Sequence, residues 1–314
     1  MKKIFPIIIA IILTNNLFAQ TTNDVGKIAL SVVMPDNVEG LNTSQLSKLE
    51  TKISQIVIAS GLAASGYNNN FVVYPKFAIY ETNVVEGGMQ NITAITSELS
   101  LFIKQVDNNM MFSTISKSLK GSGNSKELAI TNAISKIPSN DPEFKTFIET
   151  GKTKIIKYYE TKCEDIISKS DGFVKMQKFE QALGLLMSVP EEVSSCYNKI
   201  QAKSIIAYKA YQTHKCSVLI QKAKTKLESN EFMNALYIIA EIDPSTTCFK
   251  EAQTIAKMAK AKVSAEEKKQ WNFQMKQYND EVRFVKQRIE SIKEIAVSYY
   301  KSRPTIVNYN YIVR

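Results

Sequence analysis

Gln177-Lys-Phe-Glu-Gln-Ala-Leu-Gly-Leu-Leu186 and Asn230-Glu-Phe-Met-Asn-Ala-Leu-Tyr-Ile-Ile239 decide how this chain is read. Phe179 and Phe232, Ala182 and Ala235, and Leu186 and Ile239 stand 53 residues apart, as do Cys163 and Cys216. The closing cysteines, Cys196 and Cys248, stand 52 apart, and each is followed by an aromatic, Tyr197 or Phe249. Self-similarity at a fixed offset marks an internal repeat, and one slipped residue fits a turn of slightly different length. Each copy reads as a helix leading into Phe-x-x-Ala-Leu, a second helix that stops near Pro190 or Pro244, and a third that starts after the closing cysteine. The expected all-α segment covers 141–263, with copies near 163–215 and 216–263.

Met1-Lys2-Lys3, the apolar stretch Ile4 to Leu13, and Leu17-Phe18-Ala19 before Gln20 read as a bacterial secretory signal peptide over 1–19. The apolar run is far shorter than the roughly 20 residues that span a bilayer, which argues against a retained anchor. No cysteine precedes Cys163, so no lipidation cysteine is expected at a processed N-terminus. The expected location is the periplasm or the exterior, where four cysteines pair as disulfides. Of three connectivities, the repeat selects Cys163–Cys196 with Cys216–Cys248, because each bridge then closes the same local loop in its own copy. Zinc fails on spacing: there is no Cys-x-x-Cys, and His214 is the only histidine. No metal or cofactor is expected.

The chain carries a net charge of +10, divided unevenly. Residues 20–150 hold 10 basic and 12 acidic side chains, whereas 151–314 hold 28 and 18. A basic half attracts anionic polymers and phosphate-bearing surfaces. Lys257, Lys260, Lys262, Lys268 and Lys269, on a basic helix, are the candidate binding residues. Nucleic acid is not the expected partner, because this run interleaves no aromatic before Trp271.

The segment 20–140 is patterned differently. Lys27 to Met34 reads as a strand stopped by Pro35-Asp36, and Leu46 to Ile58 as a helix behind the capping residues Asn42, Thr43 and Ser44, ending at Gly61. Phe71 to Tyr80 and Ile92 to Val106 read as long strands joined through Gly87-Gly88. Met111 to Leu119 is a third, after an Asn108-Asn109 turn. Lys120-Gly-Ser-Gly-Asn-Ser-Lys-Glu127 lacks P-loop spacing and reads as a helix cap, Asn124 with Glu127, before a helix through Ala129, Ala133 and Ile137. Strand, helix, three strands and helix make an α+β layer. The pattern from Lys76-Phe-Ala-Ile-Tyr-Glu81 through Gly-x-Gly-x-Ser to Ala129 and Ala133 resembles the small α/β domains of bacterial envelope lipoproteins of the curli-secretion and flagellar-assembly type. That resemblance implies an envelope assembly or binding module.

Asn140-Asp141-Pro142-Glu143 is a helix start, with Gly151 the one weak point before Cys163. Phe-x-x-Ala-Leu resembles the tetratricopeptide pattern, in which a small Ala lets paired helices approach. That family repeats every ~34 residues, against 53 here. The resemblance implies a groove that binds peptides or other chains. Over 264–314, Trp271, Phe273, Tyr278, Val282, Val285, Ile289, Ile292, Ile295, Ala296 and Tyr299 trace an apolar stripe suited to packing on the repeats or to a coiled coil. Thr305 to Val313 alternates like an isolated strand, so helix and tail both allow an oligomer.

No residue set specifies a reaction. His214 reads as a loop residue, and Glu191-Glu192 and Glu266-Glu267 as solvated charges. The expectation is an exported, non-enzymatic envelope scaffold that binds a protein partner, or an anionic envelope polymer, through helical repeats. The alternative is a carbohydrate- or cell-wall-binding module using Tyr74, Phe77 and Tyr80 on the N-terminal sheet.

Overall fold

The computed structural model describes residues 27–64, 70–86, 90–265, 267–269, 272 and 285–302. The expected signal peptide, the Gly87-Gly88 link, the stripe positions Trp271, Phe273, Tyr278 and Val282, and the tail from Thr305 to Val313 lie outside the described residues.

An α+β layer comes first, made of β1 (Leu30–Val32), α1 (Thr43–Ala59), β2 (Phe71–Val85), β3 (Ile92–Gln105), β4 (Met111–Gly123) and α2 (Lys126–Ser135). The strands lie in the order β1-β2-β3-β4, with β1 parallel to β2 and the other pairs antiparallel. Because side chains alternate along a strand, Phe71, Val73 and Phe77 share one buried face with Ile95, Leu99, Leu101 and Ile103. A register shift opposite Ile103 and Lys104 leaves Phe112 as the extra residue on β4. Phe112 and Ile115, of opposite parity, thereby both reach that core.

Local chemistry fixes the helix starts. Asn42 and Gln45 form a reciprocal capping box at α1, each side chain bonded to the other's backbone N–H at 2.9 Å. The cap of α2 is Ser125, whose hydroxyl accepts from the Leu128 N–H, and not the expected Asn124, which donates to Gln90 Oε1. Gly121 and Gly123 belong to β4 and let α2 lie against it. A Cβ on Gly121 would run into the Ala129 carbonyl, and one on Gly123 would sit 2.7 Å from Leu128 Cβ.

The helical part comprises α3 (Pro142–Lys175), α4 (Phe179–Met187), α5 (Ser194–Glu228), α6 (Phe232–Ala240), α7 (Phe249–Lys260) and α8 (Val285–Lys301). Asp141 caps α3, and the Lys117 ammonium of β4 holds that start at 2.9 Å from Asp141 and 2.8 Å from Glu143. Gly151, the weak point of α3 as a helix former, is where α3 crosses the sheet: a Cβ there would collide with Ile103 Cδ1. Helix propensity yields to close packing at this residue.

The break expected between 140 and 141 is not a break in the core. Phe144, Phe147, Ile148, Ile155 and Tyr159 of α3 belong to the same buried cluster as the sheet, together with Leu183 and Leu186 of α4 and Cys196 and Ile200 of α5. Glu192, expected to be solvated, accepts the Ile28 N–H at 3.2 Å and so ties the segment leading into β1 to the α4–α5 turn. The core divides inside α5 instead. Beyond Ala207 a second cluster gathers Cys216, Leu219, Ile220 and Ala223 with α6 and α7.

Around α4 and α6 the backbone takes the same path at an offset of 53. Gln177 and Asn230 are left-handed, with φ of 58° and 59°. The Lys178 N–H closes on Phe173 O at 2.9 Å, as the Glu231 N–H closes on Lys226 O at 2.9 Å, so both preceding helices end in a Schellman-type cap. Cys163 of α3 is bonded to Cys196 in the first turn of α5, and Cys216 of α5 to Cys248 just before α7, with Cα–Cα separations of 5.8 and 6.4 Å. Helix α5 therefore closes the first loop and opens the second. Helix α8 packs on α4 and α5, burying Ile292 and Ala296, so its apolar side covers this helical layer.

Candidate functional site

The five candidate lysines follow one another along the end of α7 and the segment after it. Lys257, Lys262 and Lys269 are exposed, whereas Lys260 and Lys268 are half-buried. Lys260 donates to Asn272 Oδ1 at 2.6 Å, and desolvation lowers its pKa. Lys257 and Lys260 lie in the last turn of α7, where the helix dipole favours cations. No Asp or Glu occurs from 252 to 265, the stretch that carries Lys257, Lys260 and Lys262, whereas Lys268 and Lys269 follow Glu266 and Glu267.

The aromatic platform of the alternative reading is not there. Phe77 is 5% exposed in the helix-side core, Tyr74 is buried on the opposite face, and Tyr80 alone is exposed. Positions 74 and 77 differ in parity, so a strand cannot present both on one face. His214 is not in a loop: it lies within α5, its ring 5.4 Å from that of Phe179 at the start of α4. Among the described residues no cluster of His, Cys, Asp and Glu could hold a metal, and no helix is long and apolar enough to cross a membrane.

A cleft of about 440 Å³ opens where the β3–β4 turn, α3, α4 and the end of α8 meet. Gln105, the last residue of β3, is 5% exposed on its floor, beside Tyr159 of α3 at 1%. Gln105 Nε2 donates to the Tyr159 hydroxyl at 2.9 Å and to Asn70 Oδ1 at 3.3 Å, and Asn70 Nδ2 donates to the same hydroxyl at 3.3 Å. Turning only the Gln105 amide over would set Oε1 against Asn70 Oδ1, which disfavours that single flip. That leaves the buried Gln105 Oε1 with no partner among the described residues. An unsatisfied buried acceptor costs about 1–3 kcal/mol.

Two phenols complete the inner wall. Burial pushes the Tyr159 hydroxyl well up from its ordinary value, only partly offset by hydrogen bonding to Ser188 and Asn70. Burial likewise raises Tyr300, helped by the charge of Asp107, and its hydroxyl donates to Gly184 O at 2.7 Å. Both therefore stay neutral through the ordinary pH range. Gly184 has no Cβ because the Tyr299 ring occupies that space. At the rim, charges are satisfied in pairs: Lys162 meets Asp165 at 3.0 Å, and the Lys169 ammonium lies 5.9 Å over the Phe173 ring.

Sequence reasoning missed Gln105. Its signal was parity, since Leu99, Leu101 and Ile103 set an apolar alternation that a carboxamide then interrupts. Comparison with family models, with curated proteins and with solved structures found no match to this chain.

Proposed function

We propose that this chain is an exported, non-enzymatic protein of the bacterial envelope that binds a protein partner on a projecting, disulfide-tied helical segment. The observation that carries the reading is the separate core formed by the end of α5 with α6 and α7. Among the described elements, α6 and α7 pack on α5 and on each other, so the faces turned away from α5 are left for a partner. The two disulfides suit an oxidising compartment, in keeping with the signal-peptide pattern at the start of the chain. The offset of 53 supports a helical repeat whose helix-pair logic resembles tetratricopeptide modules.

The lysines after Glu251 give the segment its charge, and anionic partner groups would be attracted there. Replacing the exposed Lys257, Lys262 and Lys269 by Glu leaves Lys260 and its bond to Asn272 in place. Association with purified envelope fractions should fall in this variant at 0.1 M salt and converge with wild type near 1 M, where the screening length drops from about 10 Å to about 3 Å. Unchanged association at low salt, with an unchanged helical circular-dichroism signal, would refute the assignment of the basic end.

A further inference from the structure

We infer that the outer face of the sheet docks residues 305–313 of the same chain, laid in extended form across Val72, Tyr74 and Phe102. This surface is distinct from the basic end of α7 and does not rest on it. Register sets Val72 beside Lys104 and Tyr74 beside Phe102, on the side of the sheet turned away from the helices. The apolar cluster there, Val72 and Tyr74 with Val33, Phe102 and Val106, contains no residue of any described helix, because α1, α2 and α3 pack into the core on the other side. Val72, Tyr74 and Lys104 are nevertheless only 0%, 6% and 2% exposed. An antiparallel sheet with one open face keeps the side chains of that face wet, so burial this complete requires a cover. Lys104 reports the same condition, since desolvation lowers its pKa and no acid offsets it.

The position of α8 decides which segment supplies the cover. Tyr299 and Tyr300, near its end, line the cleft with Gln105, Asp107 and Asn108, and the charge of Asp107 reaches Tyr300. The chain therefore leaves α8 beside the end of β3, a few residues from Lys104 and Val106. Residues 305–313 in extended form span about 30 Å, against about 20 Å along β3 from Val106 to Ser100. Thr305, Val307, Tyr309, Tyr311 and Val313 share one side of an extended chain. Two rings and two valines then meet the Tyr74–Phe102 pair, whose centroids lie 6.0 Å apart, and the flanking Val72 and Val106. Their phenol oxygens can accept from the Lys104 ammonium. Other segments fit less well. Residues 65–69 have to join Ala64, bonded to Leu30 on the far side of β1, to Asn70, and the chain before Ile28 is tied to Glu192 on the helix side.

The test is photo-cross-linking in the full-length, disulfide-bonded protein with Tyr309 replaced by p-benzoylphenylalanine. Irradiation should give a cross-link within the monomer, which mass spectrometry places in peptides holding Tyr74 or Phe102. In a second variant, Tyr309→Ser with Tyr311→Ser, the amides from Val72 to Tyr74 and from Ser100 to Lys104 should exchange about tenfold faster, the equivalent of one large side chain returned to water. Amides of α3 should keep their rate, and neither substitution touches a residue of the two cores. A cross-link between two chains would overturn the inference and assign the segment to a second copy. A cross-link confined to the helices, or none, would overturn it too, as would unchanged exchange of both strands in the serine variant.

Discussion

Replacing Cys216 and Cys248 by Ala should release α6 and α7 while the rest of the molecule stays folded. The bridge closes a loop with a sequence separation of 32. In the chain-entropy treatment such a loop contributes about 3.7 kcal/mol at 25 °C. The core it ties runs from Cys216 to Val263 and is separate from the cluster that joins the sheet to α3, α4 and α8. A core of that size rarely supplies more than about 3–5 kcal/mol, so losing the bridge removes most of the segment's own stability. Amides of α6 and α7 should then exchange about 500-fold faster, one decade for each 1.36 kcal/mol, in hydrogen–deuterium exchange read by peptide mass spectrometry. Amides of β3 and α1 should keep their protection. The matched Cys163→Ala, Cys196→Ala variant loses a loop of separation 33 from the larger core, and should lower protection throughout sheet and helices. If α6 and α7 are unaffected by losing their bridge, or if β3 opens with them, the division of the core inside α5 is wrong.

Two further outcomes follow from single contacts. Gly121→Ala should cost about 1–3 kcal/mol in urea unfolding, because the new methyl meets the Ala129 backbone carbonyl, whereas Gly172→Ala, with open space around it in α3, should gain about 0.5–1 kcal/mol. Equal effects of the two substitutions would refute the close approach of α2 to β4. Lys117 holds the Asp141 carboxyl below the usual aspartate range, helped by the Glu143 N–H. A depressed carboxyl contributes stability that is fully present above its unfolded pKa, about 3.9, and is lost as pH falls through the folded value. Thermal unfolding followed below pH 4 should show this loss in wild type and less of it in Asp141→Asn, which keeps a capping side chain; parallel acid profiles would contradict the pairing.

What could be read in advance was carried by residues with one hard requirement. Proline at the first turn of α3, the capping Asn42, the glycine at 61 and the offset of the cysteines each admit few structures. Parity would have gone further. It excludes a joint display of Tyr74 and Phe77, and it marks Gln105 as a polar group on an apolar face. Two features were beyond such reasoning. A change of charge near 141 says nothing of packing, and α3 carries its apolar side straight from the sheet onto α4 and α5. The stretch from Lys209 to Lys215 contributes no residue to either buried core, so it lacks the periodic signal of a helix, and Gln212 to Lys215 read as a loop around His214.

That unpatterned stretch is the only part of α5 that lies between the two cores, and a helix with no buried stripe depends on neighbours to hold its direction. The neighbours come from both sides. Phe179 at the start of α4 packs on the rings of Tyr211 and His214, and Gln212 donates to Asp243 in the turn after α6. His214 is thus an aromatic brace between α5 and the start of α4. Because α4 also lines the cleft through Gln181 and Leu185, the brace joins the wall of that cleft to the helix that leads into α6 and α7. The rigidity of α5 between the cores therefore rests on a few side-chain contacts around Phe179, and less on helix propensity than the unbroken length of α5 suggests.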